Sequence, residues 1–168
     1  MRYRLDVVAG SVPEVVQYAG GWLVDRVMAG WDVTVLISGG GDLRPLEILG
    51  VQVADLEGAL EMWAERPHPQ TVAVSSCLFG SDARVREGVL NALEQGMTEV
   101  TLWGEQWPAE LDTVGSVEHR LSAAARAFKA QALAAADITD SVAVDRAETF
   151  LCGVMACPSV AADLVPAS

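Results

Sequence analysis

Small, hydroxylated and acidic residues follow several apolar segments of this chain. Three glycines, Gly39, Gly40 and Gly41, stand between Ser38 and Asp42, directly after the apolar segment VTVLI. Glycine lets a backbone approach a ligand closely or adopt left-handed angles, so this loop is a candidate ligand-binding loop. The alternative is a simple turn between a strand and a helix. The sequence has neither GxGxxG after its first apolar segment nor a GxxxxGKS or GxxxxGKT P-loop, so it matches neither nucleotide-binding motif.

The other candidate ligand-binding residues follow three further apolar segments. They are Gly10, Ser11, Ser75, Ser76, Cys77 and Trp103. Main-chain N–H groups and helix dipoles at such positions can hold an anion or a sugar-like polyol without any lysine. Trp103, or its neighbour Trp107, is a candidate for stacking on a planar ligand or for anchoring a partner subunit.

Cys77 is the candidate catalytic residue, because a thiol that precedes a helix N-terminus loses its proton more readily. The alternative interpretation is a small buried hydrophobic residue. The chain has two histidines, His68 and His119, and neither is near Cys77 in sequence. His68 lies between two prolines on an exposed link, and His119 is expected on a solvated helix face. A Ser-His-Asp triad is therefore disfavoured.

Alternating strand and helix patterns must position these residues. Apolar runs predict strands at 5–9, 33–37, 51–54, 71–75 and 100–103. Helices are predicted from the cap Ser11 to Gly30, from Asp42 to Gly50, after Asp55, and from Ser81 or Asp82 to Gly96. Two glycines inside the first helix, at positions 20 and 21, indicate close packing against another element.

The last third of the chain is predicted differently. The spacing of Val117, Leu121, Ala124 and Phe128 predicts one long helix over residues 116–136. Residues 139–157 leave two alternatives open, a sixth strand around 142–144 followed by a helix, or one continuous helix. From about residue 157 the tail is expected to be poorly ordered.

This order of elements predicts a three-layer α/β/α protein with a mainly parallel sheet of five or six strands, Rossmann-like or flavodoxin-like. We expect residues 1–168 to form a single domain. Because the carboxyl ends of parallel strands lie along one edge of the sheet, the candidate residues should gather there.

Charge and composition restrict the partners. Eleven basic and twenty-three acidic residues give a net charge of −12, which disfavours nucleic acid and anionic membranes as partners. Three cysteines, Cys77, Cys152 and Cys157, lack the spacing of a zinc site, so no metal is expected, and reduced thiols fit a cytoplasmic location. The sequence names no cofactor. Five tryptophans in a small acidic domain favour a homodimer.

Three functions are compatible with these residues. The first is binding of a small ligand, of a phosphorylated or nucleotide-like type, at the C-terminal edge of the sheet. The second is sulfur or acyl transfer with Cys77 as nucleophile. The third is a non-catalytic homo-oligomeric interaction module that uses the long helix and the tail as its contact surface.

Overall fold

A computed structural model of the protein describes residues 3–39, 41–65, 69–96, 98–104, 115–138, 144–153 and 165–166. The strands are β1 (Arg4–Ala9), β2 (Asp32–Ile37), β3 (Gln52–Asp55), β4 (Thr71–Ser75), β5 (Glu99–Trp103), β6 (Gly115–Arg120), β7 (Ala147–Gly153) and β8 (Val165–Pro166). The helices are α1 (Val12–Met28), α2 (Arg44–Leu49), α3 (Leu56–Glu61), α4 (Ser76–Ser81), α5 (Ala83–Gln95) and α6 (Ala123–Ala135), and a short 3-10 helix, Trp63–Glu65, follows α3.

These strands form one sheet in the order β3-β2-β1-β4-β5-β7-β6-β8. Strands β1 to β5 are parallel to one another, with Leu5 of β1 opposite Val33 of β2 on one side and opposite Thr71 of β4 on the other. The order 3-2-1-4-5 is the Rossmann-like alternative of the two that the sequence predicted. The predicted fold class is confirmed, and three antiparallel strands extend the predicted sheet to eight.

Helices cover both faces of the sheet. Val7 and Val8 of β1 point to opposite faces, and each belongs to a different buried cluster. The first cluster joins the sheet to α1, α2 and α6, for example through Val15, Leu46 and Leu133. The second joins it to α3, α4 and α5. Within the described residues, no helix is long and apolar enough to cross a membrane.

Local signals in the first two thirds of the chain placed most of the helix ends correctly. Ser11, Asp55 and Asp82 each cap the helix that follows, and Gly50 and Gly96 end α2 and α5 in the left-handed conformation. Helix α4, a single short helix between β4 and α5, was not predicted from the sequence.

The long helix predicted over residues 116–136 is wrong. Residues 115–120 form β6, which pairs antiparallel with β7, and Ser122 then caps the shorter helix α6 by accepting a hydrogen bond from the Ala125 N–H. Val117 and Leu121 do pack on the core, but Phe128 at the end of the same pattern is 47% exposed. Pairing with a strand that comes thirty residues later overrode the local helical period.

The alternatives for residues 139–157 are also resolved in part. Strand β7 excludes one continuous helix there, and it also stands where the other alternative placed a helix after the strand. Residues 139–143 and 154–157 lie outside the described residues, so the strand predicted around 142–144 stays a prediction. β7 pairs with β5 on one side and with β6 on the other. Of the predicted tail, the structure describes residues 165–166, which pair with β6 as β8.

Close packing of the two glycines in α1 is confirmed. A methyl group at Gly21 would overlap the side chain of Leu121, whereas one at Gly20 would lie 3.6 Å from Lys129 Cγ in ordinary contact. The small residues therefore let α6 and the end of β6 approach α1. Gly21 is the position at which no side chain fits without a rearrangement.

A buried ion pair fills the space beside these glycines. Glu148 of β7 and Lys129 of α6 are both about 4% exposed, and Lys129 Nζ lies 2.7 Å from Glu148 Oε2. The Glu148 carboxylate also accepts hydrogen bonds from the main-chain N–H groups of Gly21 at 3.0 Å and Trp22 at 2.7 Å. Lys129 Nζ in turn donates a hydrogen bond to the Gln17 carbonyl at 2.8 Å. Both members of the ion pair are therefore hydrogen-bonded to main-chain groups in the middle of α1. Burial raises the pKa of the Glu148 carboxyl, and the Lys129 ammonium and the two N–H groups oppose that rise.

Candidate functional site

Most of the predicted binding residues around the glycine loop line a single cavity of about 260 Å³, which we name the glycine-loop cavity. It lies between the N-terminus of α1, the loop after β2 and the C-terminus of α6. Its lining residues are Gly10, Ser11, Val12, Pro13, Ile37, Ser38, Gly39, Gly41, Asp42, Leu43, Pro45, Ala135, Ala136 and Asp137. Gly40 falls outside the described residues.

Backbone conformation explains the glycines of this loop. Gly39 has φ 88° and Gly41 has φ 153°, both in the region that favours glycine. A Cβ at either position would meet nothing within 4 Å, so the loop does not need glycine to make room for another part of the chain. The chain turns there and leaves open space above the edge of the sheet.

Asp42 lies one position before the N-cap residue of α2, whereas the sequence predicted it as the cap itself. Leu43 is the N-cap residue of α2, and Asp42 Oδ1 accepts a hydrogen bond from the Arg44 N–H at 3.0 Å. The Arg44 guanidinium lies 3.8 Å from Asp42 Oδ2, and both side chains are exposed. The Asp42 carboxylate is therefore partly neutralised and still accessible from the cavity.

Asp137 is the residue of this cavity that the sequence analysis missed. It follows the last turn of α6 with φ 60°, and it is the one non-glycine residue with positive φ in the described residues. The Asp137 N–H bonds to the Ala134 carbonyl and the Ile138 N–H to the Leu133 carbonyl, the pattern of a Schellman motif. Glycine is the usual residue at this position, and an aspartate there is less favourable for the local backbone than glycine would be. The sequence signal that could have found it is that no glycine follows the helix end predicted at residue 136.

A second cavity, of about 670 Å³, lies between the ends of β1 and β4, where the strand order reverses. We name it the switch-point cavity. Its lining residues are Glu14, Tyr18, Ser76, Cys77, Gly80, Ser81 and Gly104. Crevices of this kind are where open α/β sheets bind their ligands.

Glu14 is held in place beside this cavity. Its main-chain N–H donates to Ser11 Oγ at 3.4 Å, which is one of the two hydrogen bonds of a capping box. Its side chain accepts a hydrogen bond from the indole Nε1 of Trp103 at 3.2 Å. The carboxylate therefore links the first turn of α1 to the end of β5.

Cys77 is exposed on α4, so its interpretation as a buried hydrophobic residue is wrong. The neighbouring Ser76 is only 7% exposed. Gly104, with φ 130°, passes so close to Ser76 that a Cβ there would overlap the Ser76 hydroxyl. Cys77 thus presents a thiol to the switch-point cavity while Ser76 forms its floor.

Ser75 and Trp103 occupy structural positions. Both are fully buried. Ser75 Oγ accepts a hydrogen bond from the Leu78 N–H at 3.4 Å and caps α4, and the Trp103 indole packs in the first core cluster. The structure thus brings the predicted residues to one edge of the sheet and divides them between two cavities and the core. Trp107 and His68 lie outside the described residues.

His119 is buried, and the prediction of a solvated position is wrong. Its Nε2 lies 2.8 Å from Asp25 Oδ2, and the Ser122 hydroxyl donates to Asp25 Oδ1 at 2.5 Å. The carboxylate therefore stands between the histidine and the serine, unlike a catalytic triad, in which the histidine stands between the other two. This cluster fixes the end of β6 and the start of α6 against α1.

Comparison with known proteins identifies the fold and nothing more specific. No protein-family model matches the sequence, and no curated protein sequence matches it. Among solved structures, a triple mutant of the deacetylase of the teicoplanin biosynthetic pathway is similar, with a TM-score of 0.63, 13% identity, and 90% of this chain and 98% of that chain covered.

Two other solved structures are similar over comparable lengths. A pseudoaglycone deacetylase, Dbv21, has a TM-score of 0.62 and 15% identity, covering 94% of this chain and 100% of that one. The 4-carboxy-2-hydroxymuconate hydratase of Pseudomonas putida has a TM-score of 0.58 and 15% identity, covering 90% of this chain and 96% of that one.

Within the described part of our chain, no group of three or more His, Cys, Asp or Glu residues converges as a metal site would require.

Proposed function

We propose that the protein binds a small polar molecule in the glycine-loop cavity at the C-terminal edge of its sheet. The observation that carries this proposal is Asp137, an aspartate held at positive φ where glycine is the usual residue, on the lining of that cavity. Aspartate adopts this conformation less readily than glycine, and backbone strain of this kind clusters at ligand sites, which supports a use for the Asp137 side chain in binding. Asp42 supplies a second carboxylate to the same lining.

The charges of the lining favour a ligand rich in hydroxyl groups, neutral or carrying an amine. Asp137 lies at the negative end of the α6 dipole, and the described lining has no cationic side chain. The N-terminus of α1 on the same lining would by itself favour an anion, but its partial charge of roughly +0.5 is smaller than the charge of the two carboxylates of Asp42 and Asp137, which would repel a phosphate group. The same carboxylates accept hydrogen bonds from hydroxyl or ammonium groups. We therefore expect an unphosphorylated ligand in this cavity, in place of the phosphorylated type that the sequence suggested.

The size of the cavity supports a ligand of about the size of a monosaccharide. Its volume of about 260 Å³ is just below the roughly 300–1,000 Å³ typical of small-molecule pockets. A whole nucleotide would extend beyond it.

The test is a binding screen by thermal shift and equilibrium dialysis with polyols, neutral sugars, amino sugars and the corresponding sugar phosphates. We expect an unphosphorylated compound to raise the melting temperature and its phosphate to bind more weakly. Asp137→Gly should abolish binding while stabilising the unliganded protein by up to about 1 kcal/mol, because it relieves the left-handed aspartate. Asp145→Asn, at an exposed aspartate away from the cavity, is the matched control for loss of one charge. Binding that survives Asp137→Gly, or a screen without any hit, would refute the proposal.

A second candidate function is transfer of a sulfur or acyl group by Cys77. The observation that favours it is the exposed thiol on the lining of the switch-point cavity. In acyl transfer, the thiolate would attack the carbonyl carbon of an activated acyl donor, and the donor's leaving group would depart with a proton from solvent as the thioester forms. Incubation with small thioester and thiosulfonate donors, followed by peptide mass spectrometry, should place the adduct on Cys77. No adduct, or equal modification of the less accessible Cys152, would refute this candidate.

A homodimer and a cytoplasmic location remain proposals. They are supported by the surplus of tryptophan and by the sparse, unpaired spacing of the cysteines in the sequence. The contact surface first assigned to a long helix does not exist as such, because β6 replaces its first part. Sedimentation equilibrium over a range of concentrations tests the dimer directly.

A further inference from the structure

Three arginines of this acidic protein line one cavity of about 360 Å³, which we name the arginine cavity. They are Arg120, Arg126 and Arg146, and all three are exposed. The chain has eleven basic residues against twenty-three acidic ones, so three cations around one cavity are a local reversal of its charge. Glu118 is the one carboxylate on the lining, which leaves a formal charge of +2 there.

Different elements bring these arginines together. Arg120 ends β6, Arg126 lies in the first turns of α6, and Arg146 directly precedes β7. The Leu121 N–H donates to the Arg146 carbonyl at 2.9 Å, which ties the ends of the two strands together. The cluster therefore depends on the tertiary fold and is not a run of like charges along the sequence.

The three guanidinium groups are not neutralised within the part of the chain that the structure describes. Arg84 and Arg44, by contrast, each have a carboxylate partner within 4.0 Å, Glu57 and Asp42 respectively. No such ion pair joins Arg120, Arg126 or Arg146 to a described carboxylate, and Glu118 is not within that distance.

The position of Arg126 adds to this imbalance. A cation near the N-terminus of a helix interacts unfavourably with the positive end of the helix dipole. An anion bound between the arginines would offset both the dipole and the repulsion among the guanidinium groups.

From these observations we propose that the arginine cavity binds a divalent oxyanion, a phosphate group that is either free or part of a small phosphate monoester. Two negative charges match the formal charge of the lining, and the planar guanidinium donors suit the oxygens of phosphate. The site goes beyond the function proposed above and shares no lining residue with the glycine-loop cavity.

The two sites lie toward opposite ends of α6. Arg126 and Asp137 are separated by eleven positions, or roughly 16 Å along a helix. The positive end of the helix faces the arginine cavity and the negative end faces the glycine-loop cavity. An anion and an uncharged or cationic polyol are each placed where the helix dipole favours them.

The experiment is calorimetric titration of the full chain at low ionic strength with inorganic phosphate and with phenyl phosphate, with acetate as the monovalent comparison. We expect saturable binding of one equivalent with a Kd of about 1 mM or lower, weakened by added salt. Tighter binding of phenyl phosphate than of phosphate would identify a monoester as the ligand, and the reverse would identify the free ion. Either result supports the site.

Variants locate the binding. Arg126→Gln and Arg146→Gln should each weaken phosphate binding by at least about tenfold. Arg84→Gln removes an exposed arginine that lines neither this cavity nor the glycine-loop cavity, and it should leave phosphate binding unchanged. No saturable binding, equal weakening by Arg84→Gln, or a response only in sedimentation, which would indicate contact with a second copy, overturns the proposal. Asp137→Gly should leave phosphate binding intact, so failure here is distinct from failure at the glycine-loop cavity.

Discussion

Replacement of Glu148 by glutamine should destabilise the protein far more than its isosteric shape suggests. The glutamine side chain has one acceptor oxygen, whereas the carboxylate of Glu148 accepts from Gly21 N–H, Trp22 N–H and Lys129 Nζ. The amide NH₂ group would face at least one of these donors. Lys129, which is 4% exposed, would also lose its counter-charge in the interior.

The expected loss is about 4 kcal/mol, since breaking a buried ion pair by removal of one partner costs roughly 3–5 kcal/mol. For a chain of this length, about 2–4 °C of melting temperature corresponds to each kcal/mol, so the melting temperature should fall by about 8–16 °C. The variant should still fold, because that loss is smaller than the roughly 5–15 kcal/mol of a typical domain.

Urea denaturation followed by far-UV circular dichroism and tryptophan fluorescence measures this loss. Adding Lys129→Met to Glu148→Gln should recover part of it, because the unpaired buried ammonium is then removed. Hydrogen exchange gives a local readout: the Gly21 and Trp22 amides should lose protection in Glu148→Gln more than other amides of α1. A loss below about 1 kcal/mol, or no recovery in the double variant, would refute the assignment of a stabilising buried pair.

Two further predictions concern the glycines of α1 and the thiols. Gly20→Ala should stabilise the protein by up to about 1 kcal/mol through helix propensity, because a methyl group fits there. Gly21→Ala should destabilise it by about 1–2 kcal/mol, because the methyl group would overlap Leu121. Urea denaturation of the two variants checks this, and equal effects on the free energy of unfolding would contradict it. Burial, and then the hydrogen bond to Glu99, raises the pKa of the Cys152 thiol to about 12. Alkylation of the folded protein at pH 8, mapped by mass spectrometry, should therefore modify the exposed Cys77 and spare Cys152, and labelling of Cys152 at the rate of Cys77 would be the contrary result.

The parallel half of the fold was predictable because its signals are local. β-branched runs such as 33–37 mark strands that are buried on both faces, and Gly50 and Gly96 mark helix ends. Once the strands are parallel, the gathering of Ser11, Ser38 and Asp42 at one edge follows from topology alone.

The remaining features depend on partners that are distant in sequence. β6 forms because β7 pairs with it, and its own residues carry a helical spacing. Burial of Glu148 and Lys129 contradicts the usual exposure of charged residues, and it becomes favourable only when both meet the α1 backbone. The two cavities could not be separated in advance, because the exposure of Cys77 and the burial of Trp103 are set by α4 and by the Glu14 contact.

The contact between Glu148 and α1 also bears on how the chain is made. More than 120 residues separate Gly21 from the carboxylate that receives its N–H group. After α1 has emerged from the ribosome, nearly the whole protein must therefore be synthesised before the middle of this helix can contact Glu148. A nascent chain arrested before β7 would hold Lys129 without its counter-charge, and such an intermediate would be a substrate for chaperones and proteases.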